Sequence, residues 1–257
     1  MRLSASLKHW IVPALVLLAW QLCGAAAIAP DYLSTPSDIL RALWEIAGDG
    51  ELTAAVSASL YRVAGGYALG AGVGVLAGLA AGIVPGVRNF FEPLVSLLQS
   101  VPKIAFFPVI VLLFGIGHGS KIAIIAVSCF FPLFVSARAA VATVNRHLLW
   151  AGRNMGAPPH TLFLRVVMPA SLPQLFVGLR IGLAHAFVVL FAAELIGSNA
   201  GLGSIITDGE NSDRFDLMFA GILCFAVLGF VADRLLLVLR GWLLRGQLIG
   251  TEEQLSP

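Results

Sequence analysis

Few side chains of this 257-residue chain have types and spacings suited to chemistry. A phosphate-binding loop needs Gly, four residues and then Gly-Lys-Ser/Thr after a strand. The nearest match, GIGHGSK at residues 115–121, places serine before lysine and lies between apolar segments, which predicts a tight extracytoplasmic turn. HExxH, GxSxG and clustered His/Asp sets are absent from the sequence, which argues against a membrane-bound enzyme. The sequence therefore predicts no catalytic residue, no metal site and no nucleotide site.

Ionisable groups inside apolar segments are the remaining candidates, chiefly Lys103, His185 and Glu194. A charge at the centre of a membrane costs about 3 kcal/mol or more unless it snorkels, pairs or faces water. Lys103 is therefore predicted either near a water-filled path or close to an interface. Glu194 either reaches the headgroup region or faces a translocation cavity together with Ser198 and Asn199.

Composition sets the class of the protein. Hydrophobic residues make up 58% of the chain, charged residues 12%, and the mean hydropathy is +0.91. A soluble domain could not bury so much apolar surface, so the chain is predicted to be an integral membrane protein. The net charge of +2 is spread along the chain, which argues against a nucleic-acid partner. Cys23, Cys129 and Cys224 lie in apolar segments and are interpreted as packing residues.

Six segments are predicted to cross the bilayer as helices, each requiring about 20 residues. They are residues 10–30, 63–87, 90–117, 122–141, 175–196 and 217–242. A secretory signal is the alternative for the first segment, because small residues follow Cys23, but the membrane-bound chain beyond it favours a retained anchor. In the third segment, the apolar part after Pro102 is too short alone, so a bent or broken helix is predicted.

Two further patterns lie in the first half of the chain. Residues 31–53 are acidic, and Pro36 with a Ser37 or Asp38 cap predicts a short amphipathic helix at residues 39–46. The second predicted span has a glycine at every fourth position, which forms a ridge along one helix face. This ridge predicts close helix packing, with lining of the pathway as the alternative. Its members are Gly66, Gly70, Gly74, Gly78 and Gly82.

The longest polar interruption is the segment at residues 149–173. It contains Arg153 and Arg165, and no acidic residue lies between Glu92 and Glu194. Gly156, followed by two prolines, predicts a helix stop between one helix at residues 145–155 and another at residues 161–168 that ends before a third proline. The segment is either an ordinary solvated connection or a compact folded hairpin.

Charge asymmetry predicts the orientation, because cytoplasmic loops of membrane proteins are enriched in Lys and Arg. With six crossings, the outer side holds three cations: Arg41, Lys121 and Arg214. The inner side holds ten: Arg2, Lys8, Arg88, Arg138, Arg146, Arg153, Arg165, Arg180, Arg240 and Arg245. Both termini are therefore predicted to be cytoplasmic, as is the segment at residues 149–173, and residues 247–257 are predicted to be a loose tail.

The same segment resembles the coupling loop of permease subunits of ATP-binding cassette (ABC) importers that work with a separate solute-binding protein. The resemblance rests on residues 164–173 and on Trp150, Ala151, Gly152, Gly156 and Ala157, although Trp150 stands where the family has Glu, Gly152 where it has its second Ala, and Met168 where it has the Leu of Leu-Pro. Residues 36–40 (PSDIL), 100–117 (SVPKIAFFPVIVLLFGIG) and 201–205 (GLGSI) are similar to the subgroup that imports nitrate, sulfonates, taurine, bicarbonate and thiamine-precursor pyrimidines.

The resemblance implies an all-α membrane protein of the type I importer permease fold, as one permease domain over residues 1–257 with a coupling loop at about 145–171. It implies a homodimer in the bacterial inner membrane, a separate ATPase that binds ATP and Mg, and a periplasmic or lipid-anchored binding protein that delivers a small anionic solute. The residues expected to couple transport to the ATPase are Trp150, Ala151, Gly152, Arg153, Gly156 and Ala157. An ion-coupled secondary transporter, with Lys103, His185 and Glu194 carrying the coupling, is the alternative. The identity of the solute stays open.

Overall fold

A computed structural model describes residues 3–26, 30, 32–197 and 199–244, and these residues form helices without any strand. The α-helices are α1 (Leu3–Ala25), α2 (Pro36–Gly48), α3 (Glu51–Ile83), α4 (Pro85–Gln99), α5 (Phe107–Phe114), α6 (His118–Ala142), α7 (Arg146–Asn154), α8 (Pro159–Leu162), α9 (Met168–Gly197), α10 (Leu202–Asn211) and α11 (Phe215–Leu243). A 3₁₀ helix (Lys103–Phe106) precedes α5, and a π-helix (Phe163–Val167) joins α8 to α9.

Among the described residues, four helices are long and apolar enough to cross a membrane: α3, α6, α11 and the continuous helix Pro159–Gly197. The pair formed by α4 and Lys103–Phe114 is bent by 92° and is either a fifth, broken span or a re-entrant loop. The bent helix predicted around Pro102 is therefore confirmed. For the first predicted segment, the apolar part of α1, Ile11–Ala25, is short for a bilayer, and residues 27–29 lie outside the described residues.

Two helix starts differ from the sequence prediction. Helix α2 begins at Pro36, because the Thr35 hydroxyl accepts a hydrogen bond from the Asp38 N–H at 3.3 Å and caps the helix in place of Ser37 or Asp38. Helix α3 begins at Glu51, twelve residues before the predicted span, so part of the acidic segment is helical. It ends at Ile83 because Val84 precedes a proline and takes an extended conformation.

The chain divides into two compact units, one comprising Met1–Leu60 and Glu194–Val227 and the other Tyr61–Ala193 and Leu228–Pro257. We call them unit 1 and unit 2. In unit 1, α2 packs on α11 through Ile39, Ala42 and Ala220. In unit 2, α6 is the central helix. One cluster of the unit 2 core joins α6 to α3 and α9 through Leu79, Ala137, Ala140 and Leu175, and another joins it to α3 and α4 through Ala81, Val95, Phe131 and Phe134.

The remaining apolar surface is what a lipid-facing helix requires. Leu112 on α5 is 86% exposed and Val238 on α11 is 71% exposed. A soluble protein would not leave whole helix faces of this kind in water, whereas hydrocarbon solvates them at no cost. The chain therefore crosses the membrane several times.

Candidate functional site

The segment at residues 145–171 forms a folded hairpin, which we call the α7–α8 hairpin. The Asn145 side chain starts α7 by accepting a hydrogen bond from the His147 N–H at 2.9 Å. At the other end, Gly156 has φ +79°, in the left-handed region that favours glycine. Its N–H bonds to Arg153 O at 2.9 Å, and the Ala157 N–H bonds to Gly152 O at 3.1 Å. This pair of bonds is the Schellman motif. The helix stop predicted at Gly156 is therefore present.

The two arms of the α7–α8 hairpin pack at a glycine. Gly152 is buried, and a side chain added there would collide with Leu162 Cδ2. Trp150 on the same helix is 55% exposed, with its ring 5.4 Å from that of His147. Met155, at the helix end, is 80% exposed. The hairpin therefore combines a fixed backbone with apolar side chains that face outward next to the exposed Arg153.

The second arm of the hairpin does not end where the sequence predicted. We expected a stop before Pro169, and this is wrong because the π-helix carries the chain into α9. The Met168 N–H bonds back to Phe163 O, five residues earlier, and the Ser171 hydroxyl donates to Met168 O at 3.0 Å. A proline removes its own N–H from a helix and its ring crowds the carbonyl four residues earlier, and a local π turn accommodates both effects. The second arm of the hairpin and the fifth predicted span are therefore one helix, Pro159–Gly197.

Lys103 and His185, two of the predicted pathway residues, line one cavity of about 390 Å³ in unit 2. The break between α4 and α5 forms one side of this cavity, and Ser128 of α6 with Val188, Val189 and Ala192 of α9 forms the other. The Lys103 ammonium donates to Gln99 O and lies 5.1 Å from the centroid of the Phe131 ring. His185 Nδ1 lies 2.9 Å from Ile181 O.

Glu194 belongs to unit 1, where its side chain is completely buried. Both carboxylate oxygens accept hydrogen bonds from the Ser59 hydroxyl at 2.9 Å, and Oε2 also accepts from the Gly203 N–H at 2.9 Å. Ser59 Oγ in turn accepts from the Leu202 N–H at 2.9 Å. The first turn of α10 is thus seated on Glu194 and Ser59. Burial and these hydrogen bonds account for the position of this carboxylate. Ser198 lies outside the described residues.

The five ridge glycines of α3 lie against α6, within unit 2. A side chain at Gly70 would place its Cβ 2.5 Å from Ala126 O and 2.9 Å from Cys129 Cβ. At Gly74 the same atom would lie 2.8 Å from Phe130 O, and at Gly66 it would lie 2.6 Å from Ile125 Cβ. Gly78 and Gly82 meet Phe134 and Val141 in the same way. Backbone oxygens of α6 occupy the space of a side chain at Gly70, Gly74 and Gly78, and side chains of α6 lie closest at Gly66 and Gly82.

Sequence reasoning placed Lys121 in a tight extracytoplasmic turn at residues 115–121, but the turn is shorter and Lys121 lies in α6. Only residues 115–117 form the turn, with Gly115 at φ +76°, and α6 begins at His118. Lys121 is 1% exposed, with Nζ 3.5 Å from Gly117 O. The tripeptide was a sufficient break because a left-handed glycine reverses the chain without further residues.

Three polar residues of the spans escaped the sequence analysis. Asp233 of α11 forms a two-pronged ion pair with Arg180 of α9, at 2.6 Å from Nε to Oδ1 and 3.0 Å from Nη2 to Oδ2. A carboxylate inside a predicted span is itself the signal that should have prompted a search for its partner. Ser128 and Ser59 gave no such signal, because serine is common in membrane helices.

An exposed ion-pair cluster joins α2 to the start of α11 in unit 1. Arg214 donates to Glu45 Oε2 at 2.9 Å and to Asp216 Oδ2 at 3.0 Å. The hydrogen bond from Arg214, with its charge, holds the pKa of the Glu45 carboxyl below the ordinary value of 4.5. The same hydrogen bonds raise the pKa of Arg214. Within the described part of the chain, no group of three or more His, Cys, Asp or Glu side chains could hold a metal ion.

The sequence is similar to a family of membrane transport proteins and to individual members of it. Residues 70–244 match the family described as "Binding-protein-dependent transport system inner membrane component". The taurine transport system permease protein TauC of Escherichia coli (strain K12) is 35% identical over 221 residues, which are 83% of this chain and 80% of TauC. SsuC of Bacillus subtilis (strain 168), a permease protein named for aliphatic sulfonates transport, is 33% identical over 240 residues, 93% of this chain and 87% of SsuC.

Among solved structures, the fold resembles a chain of the MetNI methionine ABC transporter in an inward-facing conformation. The TM-score is 0.57, and the match covers 80% of this chain and 95% of that chain. Sequence identity is 19%, so this likeness concerns the fold alone.

Proposed function

Because the chain belongs to the family of binding-protein-dependent inner membrane components, the permeases of ABC importers, we propose that it carries a small anionic solute into the cell at the expense of ATP hydrolysed by a partner. Sulfonates, taurine and nitrate, after which the relatives are named, are the first solutes to test. The family assignment favours this function over an ion-coupled secondary transporter.

The observation that carries the proposal is the α7–α8 hairpin. Its Schellman motif and its Gly152 contact fix the backbone, while Trp150 and Arg153 face outward from it. A fixed projection transmits force better than a flexible loop. We assign Trp150, Ala151 and Arg153 to the surface that meets the ATPase, and Gly152, Gly156 and Ala157 to keeping that surface in shape.

The partners follow from the family. The chain pairs with a second copy of itself in the bilayer, and each copy seats its hairpin on a nucleotide-binding subunit that holds ATP and Mg. A periplasmic or lipid-anchored binding protein delivers the solute from the other side. This chain itself binds no cofactor, catalyses no reaction and does not bind nucleic acid.

The proposed orientation places both termini and the hairpin in the cytoplasm of a bacterium, with the protein in the plasma (inner) membrane. Its support is the excess of Lys and Arg on one side of the predicted spans. The boundaries between units 1 and 2 fall inside α3, α9 and α11, so we treat residues 1–257 as one permease domain.

The pathway residues are proposed in the same way. Lys103 and His185 line the passage through unit 2, where they share a cavity. Glu194 seats the first turn of α10 within unit 1, and Glu194 and Ser198 are kept as proposed pathway residues of that unit. The glycine ridge, Gly66, Gly70, Gly74, Gly78 and Gly82, keeps α3 and α6 in backbone contact.

Labelling in intact cells tests the orientation. Asn154, at the end of α7, and Asp49, between α2 and α3, are both exposed. A membrane-impermeant maleimide should label Asp49→Cys in intact cells and Asn154→Cys only after permeabilisation, with the wild-type chain as the background for its three cysteines. Labelling of Asn154→Cys in intact cells would overturn both the topology and the link to a cytoplasmic ATPase.

Reconstitution tests the energy source. We expect uptake of taurine or ethanesulfonate into liposomes only when the chain, its ATPase, its binding protein and ATP are all present. Uptake by the chain alone under an ion gradient would instead establish the secondary-transporter alternative.

A further inference from the structure

The cavity next to the break between α4 and α5 is built as a site for an organic anion. We propose that it is a binding station in which Lys103 and Ser128 hold the oxoanion head group of a short-chain sulfonate on its way through unit 2. The inference rests on the proposed function, since it concerns the solute that the permease carries. It adds the residues that bind this solute within the membrane and the class of anion that fits.

Ser128 is the most informative residue of the cavity. It is 2% exposed, and its hydroxyl has no hydrogen-bond partner among the described residues. Serines in helices usually donate to a carbonyl one turn earlier, as Ser120 and Ser171 do here. A buried hydroxyl without a partner is rare, because desolvation is uncompensated unless a ligand or water completes it. Ser128 is one of the residues that line the cavity, so rotation of its hydroxyl toward a bound acceptor can satisfy it.

Lys103 supplies the charge. Its ammonium has three donors, and the two contacts described for it are a carbonyl oxygen, Gln99 O, and the face of the Phe131 ring. Neither contact neutralises the charge. Among the described residues that line the cavity, Lys103 is the only one that carries a full charge, and none is acidic. An anion that enters this low-dielectric space is therefore attracted, and a cation is repelled.

His185 sets the polarity of the far side. A carbonyl oxygen can only accept a hydrogen bond, so the contact with Ile181 O places the proton on Nδ1. In the neutral ring, Nε2 is then an acceptor. In this form Nε2 suits an amino or hydroxyl group of the solute better than an anion. We therefore assign the head group to Lys103 and Ser128, and not to His185.

The remaining wall favours an organic anion over an inorganic one. Val188, Val189 and Ala192 form an apolar strip along α9. An alkyl chain gains free energy by leaving water for this strip, whereas a hydrated ion such as nitrate gains none. The volume, about 390 Å³, lies in the range of roughly 300–1,000 Å³ found for small-molecule sites. A sulfonate with two to four carbons uses the head group and the strip together.

Equilibrium binding measures the station directly. The permease is purified with its ATPase in nanodiscs, without binding protein, and labelled ethanesulfonate is the probe. We expect Lys103→Gln to raise the Kd about tenfold or more, the loss of one charge-assisted hydrogen bond, while Lys103→Arg retains most of the affinity. Ser128→Ala should raise the Kd by a smaller factor without lowering the melting temperature, since the hydroxyl has no partner to lose. Ser171→Ala, which removes a hydroxyl that is satisfied outside the cavity, is the matched control.

The outcomes separate the inference from the proposed function. The station does not exist if the wild-type complex binds no ethanesulfonate up to about 100 mM, on the order of the weakest specific binding. It also does not exist if Lys103→Gln and Ser128→Ala bind ethanesulfonate with the wild-type Kd. Equal competition by nitrate and by butanesulfonate would refute the organic-anion assignment. The proposed function is decided by ATP-driven uptake in the full system, which can succeed when binding at this station fails, and can fail when binding succeeds.

Discussion

Replacement of Gly156 isolates the contribution of one backbone angle to coupling. The residue has φ +79°, and an added Cβ would meet no atom within 4 Å. A substitution there therefore strains the backbone without a steric clash. The left-handed conformation costs an L-residue roughly 1–2 kcal/mol, and more when the side chain is branched at Cβ. Gly156→Ala should thus reduce the population of the hairpin conformation by a factor of about 5–30, and Gly156→Val should reduce it further.

Two measurements follow this change. The Ala157 N–H bonds to Gly152 O at 3.1 Å only when the Schellman motif is formed, so hydrogen exchange at Ala157 should accelerate in Gly156→Val. In the reconstituted importer, the solute molecules carried per ATP hydrolysed should fall in the same order. Gly156→Asn should be milder, because asparagine tolerates the left-handed region. Gly86→Val, at a helical glycine that also has open space around it, is the control.

The reasoning fails in two distinguishable ways. Unchanged exchange at Ala157 in Gly156→Val would show that the motif does not depend on the glycine. Faster exchange together with a wild-type ratio of transport to ATP hydrolysis would show that the hairpin's shape does not matter for coupling. Membrane insertion should be wild-type in all variants, because the hairpin lies outside the apolar part of the chain.

Three other perturbations have defined outcomes. Gly70→Ala should lower the stability of the purified permease by about 1–3 kcal/mol, because the backbone of α6 cannot yield to the new Cβ. Gly72→Ala, where the new Cβ would have no atom within 4 Å, should be neutral or stabilising. Equal melting temperatures for the two variants would contradict the close packing of the glycine ridge. Glu45 has a lowered pKa in the folded protein, so its contribution to stability is fully present above the unfolded value near 4.5 and is lost as the pH falls through the folded value. Melting temperatures from pH 6 to 3 should therefore fall less steeply for Glu45→Gln than for wild type, and parallel curves would exclude the Arg214 pair as the cause. Glu194→Gln removes one of the acceptors that seat α10 and should destabilise that helix by about 1–3 kcal/mol. The measurement is hydrogen exchange at the Gly203 N–H, which should become faster. Unchanged exchange would mean that the carboxylate does not hold α10.

Local signals in the sequence predicted most of the fold correctly. The break at Pro102 and the stop at Gly156 each act through the backbone of their own segment, so their effect does not depend on distant residues. The periodic glycines of α3 predicted a closely packed helix face, although the sequence did not show that α6 is its partner. The apolar spans follow from composition, because hydrocarbon requires long helices.

Predictions that depended on distant partners were less successful. Pro169 did not end its helix, because the π-helix before it accommodates the proline. The hydrogen bonds of Glu194 were not predicted, since its partner Ser59 lies 135 positions earlier and no pattern in the sequence connects them. Ser128 is informative because its hydroxyl has no hydrogen-bond partner among the described residues. A sequence cannot show this, because it does not give the positions of the surrounding atoms.

The helix Pro159–Gly197 has a consequence for the lengths that the chain can tolerate. At 1.5 Å per residue its 39 residues extend about 58 Å, from the second arm of the hairpin to the carboxylate that seats α10. Each residue added within it turns everything beyond by about 100°. Two inserted residues would direct Glu194 to the opposite side of the helix, whereas seven, close to two full turns, would return it to nearly the same direction. Loops elsewhere can grow or shrink freely, but this segment can change length only in steps that preserve its angular phase.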